Sequence, residues 1–412
     1  MTRRNLKRMS KLEFDATHAP GTGPVFGWLL VFVLVIFSGC QTIRVQDDQT
    51  VYEKRLSLHR QVWELVRSQY YDPDFGGKDW NQIALDSVPE IEKAQDLKQV
   101  YAALQRMVNR LEDRHTFLLT PEEYAEEKRN EYVGVGFMTF NHPDEQDLNV
   151  VIRVVPESPA DQAGIKPGWL FLNGLEVNPG HQVSGVKENF RFLDHFQQLH
   201  EIALVPEDLP KTAADWQATL LDDNILYLRF DNFDEGLEQW IAGQLIDHEA
   251  MKGLILDVRW NPGGYKYVLN RILSLFLPQY TEIGTVVTRD ESHKKEYTPK
   301  VDNWKICKTP MIVLTSPYSA SCSEILARVL QFHKRATIVG THVSAGEVLF
   351  SPSWDLPGGG LLKVSVRDYL DPEGLRLQGR GVTPDILLEA RSFFQTRRGN
   401  DPTLDRAVSE LH

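Results

Sequence analysis

The sequence predicts an α/β protein, with a core of parallel strands and helices, a helical N-terminal region, and a β-rich module between them. Three observations carry this. From Ile225 onward, short apolar runs at 225–230, 254–258, 311–315 and 336–339 alternate with helical patterns at 265–277 and 322–333, an alternation typical of βαβ units sharing one sheet. Residues 53–128 place Leu56, Trp63, Val66 and Tyr70, then Val100, Leu104, Met107 and Leu111, at helical spacing, with breaks at Tyr71-Asp72-Pro73 and near Pro89 and Pro121. From Val133 the apolar period shortens to two, with runs at 150–155 and 169–172 around the turn-rich Pro156-Glu157-Ser158-Pro159.

Composition bounds the function classes. The chain has 412 residues, 42% hydrophobic and 25% charged, with only 3 Cys, which excludes a disordered, collagenous or disulfide-scaffold protein. Its 45 basic and 57 acidic side chains give a net charge of −12. That balance opposes binding to phosphate backbones, so nucleic acid is not an expected partner. There is no internal repeat and no metal-type His/Cys spacing, and neither a metal nor an organic cofactor is expected.

Residues 1–39 read as an address. Arg3, Arg4, Lys7, Arg8 and Lys11 precede the uncharged apolar run 25–37, which ends in Ser38-Gly39-Cys40. This is the order of a signal peptide. Thirteen apolar residues at about 1.5 Å each fall short of a hydrocarbon core about 30 Å thick. The run Phe37-Ser38-Gly39-Cys40 resembles a bacterial lipobox, in which Cys40 becomes the acylated first residue and holds the chain on a membrane surface. Gln41 behind it resembles the outer-membrane sorting pattern, so the expected location is the bacterial cell envelope, facing the periplasm. Of the two remaining cysteines, the context of Cys322 points to a buried, unpaired thiol.

Two strand-to-helix turns carry the chemistry. The segment 311–325 reads as buried strand, tight turn and helix start, so Ser321 lies at a helix N-terminus, where backbone N–H groups and the positive dipole end favour negative charge on an acyl-transfer nucleophile. Ser321-x-x-Glu324 is equally the spacing of a capping box. The second turn, Asn261-Pro262-Gly263-Gly264, follows the run 254–258. Parallel sheets place their sites at the carboxyl ends of strands, so Gly263 or Gly264 is a candidate oxyanion donor beside Ser321.

Taken with Leu111-Glu112-Asp113-Arg114-His115-Thr116, Val133-Gly134-Val135-Gly136-Phe137, the Ser158 to Gly168 stretch and Gly379-Arg380-Gly381-Val382-Thr383-Pro384-Asp385, these turns make the chain resemble the carboxyl-terminal processing (tail-specific) serine proteases, in family order from about residue 56 to 388. The resemblance implies a ClpP/crotonase-like α/β protease core over 221–395, a PDZ domain inserted at 131–220, a helical region at 40–130 and a C-terminal tail at 396–412. It implies that Ser321 is the nucleophile, that the Cys322 amide and Gly263 or Gly264 form the oxyanion hole, and that the backbone of Val133, Gly134, Val135, Gly136 and Phe137 captures the carboxylate of an apolar substrate tail by β-augmentation. Trp169 stands where an Asp is common in that module.

The chain departs from the Ser-Lys members of that family. Where they carry a lysine about 25 residues after the serine, this sequence has Gly346-Glu347, and neither supplies a neutral amine. His115 is the leading candidate base, because relatives resembling the tricorn core protease use a histidine from an N-terminal region, and an imidazole suits proton transfer near neutral pH. A structural role beside Thr116 is the competing reading. Glu347 or Glu373 could orient a histidine; His333 and His342 rank lower as bases. The expectation is an exported serine endopeptidase anchored through Cys40, and the alternative is an inactive protease-fold lipoprotein that binds peptide tails as a scaffold or adaptor.

Overall fold

The computed structural model describes residues 39–129, 131–141, 149–172, 184–194, 196–210, 216–302, 304–389 and 401–412. The apolar run 25–37 and the Cys40 side chain lie outside them, and no helix among the described residues is long and apolar enough to cross a membrane. Contacts divide the chain after Glu53. Residues 54–412 form one unit, and of the unit before it only the start of the first helix is described.

Helices α1 (Gly39–Gln69), α2 (Trp80–Lys93) and α3 (Leu97–Asn109) make up the N-terminal region. The side chains of Asp79 and Asp96 cap α2 and α3 by accepting the amides of Gln82 and Gln99. Leu58, Val62 and Val66, four residues apart on α1, with Tyr70 just past its end, pack on Ile83 and Ile91 of α2 and Val100, Leu104 and Met107 of α3. The break expected near Pro89 does not occur, since Pro89 lies inside α2. The carbonyl it leaves without a partner belongs to Leu85, which is 57% exposed and open to water. Strand β1 (Phe117–Leu119) and helix α4 (Pro121–Lys128) complete this region; Thr120 and Glu123 form a capping box, with Pro121 in the first turn as its fixed φ favours.

The module that follows contains β2 (Glu131–Gly134), β3 (Phe137–Asn141), β4 (Asn149–Val154), the short helix α5 (Pro159–Gln162), β5 (Leu170–Phe171), β6 (Glu188–Leu193), β7 (Leu199–Leu204) and β8 (Glu207–Pro210). Strands β3 to β7 form an antiparallel sheet in chain order, and β2 pairs with β8. Phe137 packs against Phe171, Phe190 and Phe192 at ring separations of 5.3 to 5.6 Å. Trp169 is buried in this cluster and stacks on His200 at 4.7 Å, so it fills the module's interior.

The core comprises β9 (Trp216–Leu221), β10 (Ile225–Phe230), α6 (Leu237–Asp247), β11 (Gly253–Asp257), α7 (Lys266–Leu273), β12 (Glu282–Thr288), β13 (His293–Tyr297), β14 (Met311–Thr315), α8 (Cys322–Phe332), β15 (Thr337–Gly340), β16 (Ser353–Asp355), β17 (Leu361–Lys363), β18 (Arg367–Leu370), β19 (Ile386–Leu387) and α9 (Pro402–Glu410). Its main sheet has the order β19-β15-β14-β11-β10-β9, parallel except for the edge strand β9. Alternate residues of these strands face two apolar layers, which is why the strands read as unbroken hydrophobic runs. Leu226, Leu228, Leu254, Leu256 and Val313 face α6, α7 and α8. Ile225, Ile255, Ile312, Leu314 and Val339 face Leu404, Ala407, Val408 and Leu411 around α9. The core also returns β17 to pair with β1, with β16 on its other side, which joins the N-terminal region to the core.

Candidate active site

The turns after β11 and β14 lie side by side because the two strands are neighbours in the sheet. Serine hydroxyls fasten one to the other. Ser319 Oγ donates to the Val258 carbonyl at 2.8 Å, Ser323 Oγ to the Asn261 carbonyl at 2.8 Å, and Ser316 Oγ to the Arg259 carbonyl. These three serines are fully buried. Ser321 is half-buried, and its hydroxyl takes no part in that fastening.

Ser321 is the N-cap of α8 but has φ 54° and ψ −116°, far from the extended backbone usual for a cap. A serine held at positive φ is strained, and such strain persists only where the surroundings impose it. Here the Ser321 N–H is shared between the Glu347 carbonyl at 2.8 Å and Glu324 Oε2 at 3.1 Å. The Glu324 carboxylate reaches back to the Ser321 amide as in a capping box, while the Ser321 hydroxyl caps no backbone amide of α8.

Gly263 has φ 113°, and a Cβ there would lie 2.6 Å from the Ser321 Cβ. Only glycine allows this approach. Its amide is not an oxyanion donor, however, because it donates to Asn261 Oδ1 at 2.8 Å. The amides of Gly264 and Cys322 have no acceptor among the described residues, and Gly264 is exposed. These two N–H groups form the candidate oxyanion hole. The Cys322 thiol turns inward, 3.3 Å from the Gly264 carbonyl, and burial pushes its pKa up to about 12. It is neutral at physiological pH and no rival nucleophile.

Glu324 organises the loop of residues 344–347. Its carboxylate accepts from Ser344 Oγ at 2.5 Å, the Gly346 amide at 2.7 Å and the Glu347 amide at 2.8 Å, besides Ser321. Burial pushes this carboxyl's pKa up, while the same hydrogen bonds favour its charged form. The Ser-x-x-Glu spacing signalled a cap; nothing local signalled that the same carboxylate would hold residues 344–347.

His115 and the Glu347 side chain line one cavity of about 360 Å³ with Tyr70, Asp113, Arg114 and Gln378. Asp113 Oδ1 accepts the His115 amide at 2.9 Å, and Asp113 Oδ2 accepts the Thr116 hydroxyl at 2.6 Å. Thr116 Oγ in turn accepts the Ser365 amide at 2.9 Å. The turn carrying His115 is thus moored to the core. The ring Nδ1 is buried with no hydrogen-bond partner among the described residues, 4.0 Å from Asp113 Oδ1. Glu347 faces Arg114 at 3.3 Å. Among the described residues no histidine or lysine nitrogen is hydrogen-bonded to Ser321 Oγ.

The other sequence candidates are engaged elsewhere. His333 caps the far end of α8, about 16 Å of helix from Ser321, and contacts the Glu282 carbonyl at 2.8 Å. Glu373 pairs with Arg328, and His342 Nδ1 contacts Thr341 Oγ1 at 2.9 Å; Lys266, which the sequence did not single out, is the ion-pair partner of Glu296. In the module, Val135 and Phe137 side chains are core, and the Val135 and Gly136 carbonyls accept from Ala160 and Val155 at 2.9 and 2.7 Å. Among the described residues no cluster of His, Cys, Asp or Glu could hold a metal ion.

Comparison with known proteins places this geometry. Residues 224–388 match peptidase family S41, and residues 52–109 match the tricorn protease C1 domain. A carboxyl-terminal-processing protease of Synechocystis sp. is 27% identical over 359 residues, covering 82% of this chain and 81% of the relative. One from Picosynechococcus sp. is 28% identical over 403 residues, covering 91% and 92%. Among solved structures, the photosystem II D1 C-terminal processing protease aligns with a TM-score of 0.61 at 21% identity over 82% of this chain and 93% of its own. Mature CPAF complexed with lactacystin aligns at 0.62 and 13% identity over 88% and 99%. At these identities the structures speak for the fold.

Proposed function

Because the chain is a serine-type peptidase carrying a family S41 domain and related along most of its length to carboxyl-terminal-processing proteases, we propose that it is an exported, membrane-anchored endopeptidase that cleaves protein tails by acyl-enzyme chemistry. One observation carries this reading: Ser321 is held at φ 54° against Gly263, beside two amides without acceptors. Ser321 Oγ attacks the scissile carbonyl, and the Cys322 and Gly264 N–H groups receive the oxyanion as it forms. His115 takes the serine proton and returns it to the leaving amine, with Asp113 beside its Nδ1. The β-rich module acts as a PDZ domain whose Val133 to Phe137 loop receives an apolar substrate C-terminus, and acylated Cys40 ties the chain to the envelope membrane.

A tail-binding scaffold is the second reading, favoured because no basic nitrogen among the described residues is hydrogen-bonded to Ser321 Oγ. A peptidyl phosphonate separates the two. On residues 41–412 it is expected to label Ser321 covalently, read by mass, and to leave Ser321→Ala unlabelled, while the wild type cleaves an unfolded protein with an apolar tail. An unlabelled wild type that still binds the tail would establish the scaffold.

A further inference from the structure

We propose that Asp401, at the start of the C-terminal helix, is a positioning residue for the oxyanion turn, acting through Arg259. This rests on the peptidase reading above.

Arg259 is the second residue after β11 and stands between that strand and the Gly263-Gly264 turn. Its side chain is 10% exposed and its fork is divided between two carboxylates. Nε and Nη2 donate to Asp257 at 3.0 and 2.6 Å, while Nη1 and Nη2 donate to the two oxygens of Asp401 at 2.9 and 2.7 Å. Tyr227 OH donates to Asp257 at 2.6 Å, completing the group. Such bidentate pairs fix the plane of the guanidinium as well as its place.

The two ends of this link are anchored differently. Asp401 also caps α9, accepting the Leu404 amide at 3.0 Å, and α9 is seated on the sheet through Leu404, Ala407, Val408 and Leu411. At the other end, the Arg259 carbonyl receives Ser316 Oγ, and two residues later Asn261 bridges the Phe230 carbonyl and the Gly263 amide at 2.9 and 2.8 Å. A change in the Arg259 backbone therefore passes to both turns of the site, and with them to the direction of the Gly264 N–H. A helix on the sheet face away from α7 and α8 sets the position of a group that touches the reaction. Displacements of about 1 Å in such groups lower turnover about a hundredfold.

The test compares Asp401→Asn, Asp401→Glu and Leu404→Ala in the whole chain, reading kcat and KM for tail cleavage, thermal midpoint, and hydrogen exchange of the segment 258–265. Asp401→Asn is expected to lower kcat about ten- to a hundredfold with KM within about twofold, and to speed exchange in 258–265. Asp401→Glu is expected to restore much of both. Leu404→Ala loosens the seat of α9 but keeps the Asp401–Arg259 pair, and is expected to lower the midpoint while changing kcat and that exchange clearly less than Asp401→Asn does. Unchanged exchange in Asp401→Asn, or a kcat loss matched by Leu404→Ala, would overturn the assignment. Exchange is read with or without turnover, so an inert wild type counts against the peptidase reading alone.

Discussion

The amide of Ser321 donates to the carbonyl of Glu347 at 2.8 Å, so the proposed nucleophile is bonded through its backbone to the segment where the resemblance led one to expect a lysine. One carboxylate, that of Glu324, holds Ser321 and residues 344–347 together. On the proposed mechanism the serine proton goes to a group from another part of the chain, and His115 shares a cavity with Glu347.

Gly263→Ala is expected to lower kcat at least a hundredfold. Its methyl group would start 2.6 Å from the Ser321 Cβ, and alanine disfavours φ 113°. Tail binding, measured by fluorescence anisotropy, should stay within about threefold of wild type, since the module is untouched; weakening of binding to the same degree as kcat would show a general collapse.

His115→Ala is expected to lower kcat by about 10² to 10⁴, the usual share of a general base, and to slow phosphonate labelling in parallel. Glu347→Gln, which loses the pairing with Arg114 but keeps the backbone bond to Ser321, should lower it less than about tenfold. Equal losses in the two variants would move the base assignment away from His115.

Acid unfolding should report on Asp257. Burial works against its charge, but the Arg259 guanidinium prevails and holds its pKa below the ordinary 3.8. Its stabilisation is therefore complete above that value and lost as the pH falls through the lower folded value. Asp257→Asn is expected to destabilise by about 3 kcal/mol at pH 7, as breaking a buried pair does, and to flatten the thermal midpoint below about pH 4. A mutant midpoint that falls with acid as steeply as wild type would assign the acid limb to other carboxylates.

Local signals made much of the fold legible. Strands β10 and β14 occupy the residues their apolar runs predict, and the neighbouring turns follow from glycine, proline and serine placement. The position of Ser321 at a helix start was legible too, as was the burial of Cys322. What the sequence could not display is the direction of side chains that meet across the fold. Arg259 and Asp401 are 142 residues apart. The Gly263 amide was lost to the side chain of Asn261, a competitor two residues away that spacing alone does not reveal. Pro89 looked like a break because proline chemistry disfavours helix interiors, and only the exposure of Leu85 shows why this helix tolerates it.

The β-rich module leaves the chain and rejoins it through one narrow neck, the four-residue ladder from Glu131↔Pro210 to Gly134↔Glu207. Opposed residues in such a ladder are about 5 Å apart, so the chain's path through the core is almost closed without the module. Nothing in the six-strand order depends on it. The module is in effect a cassette: lineages could lengthen, trade or discard it, and so change what is delivered to an unaltered serine.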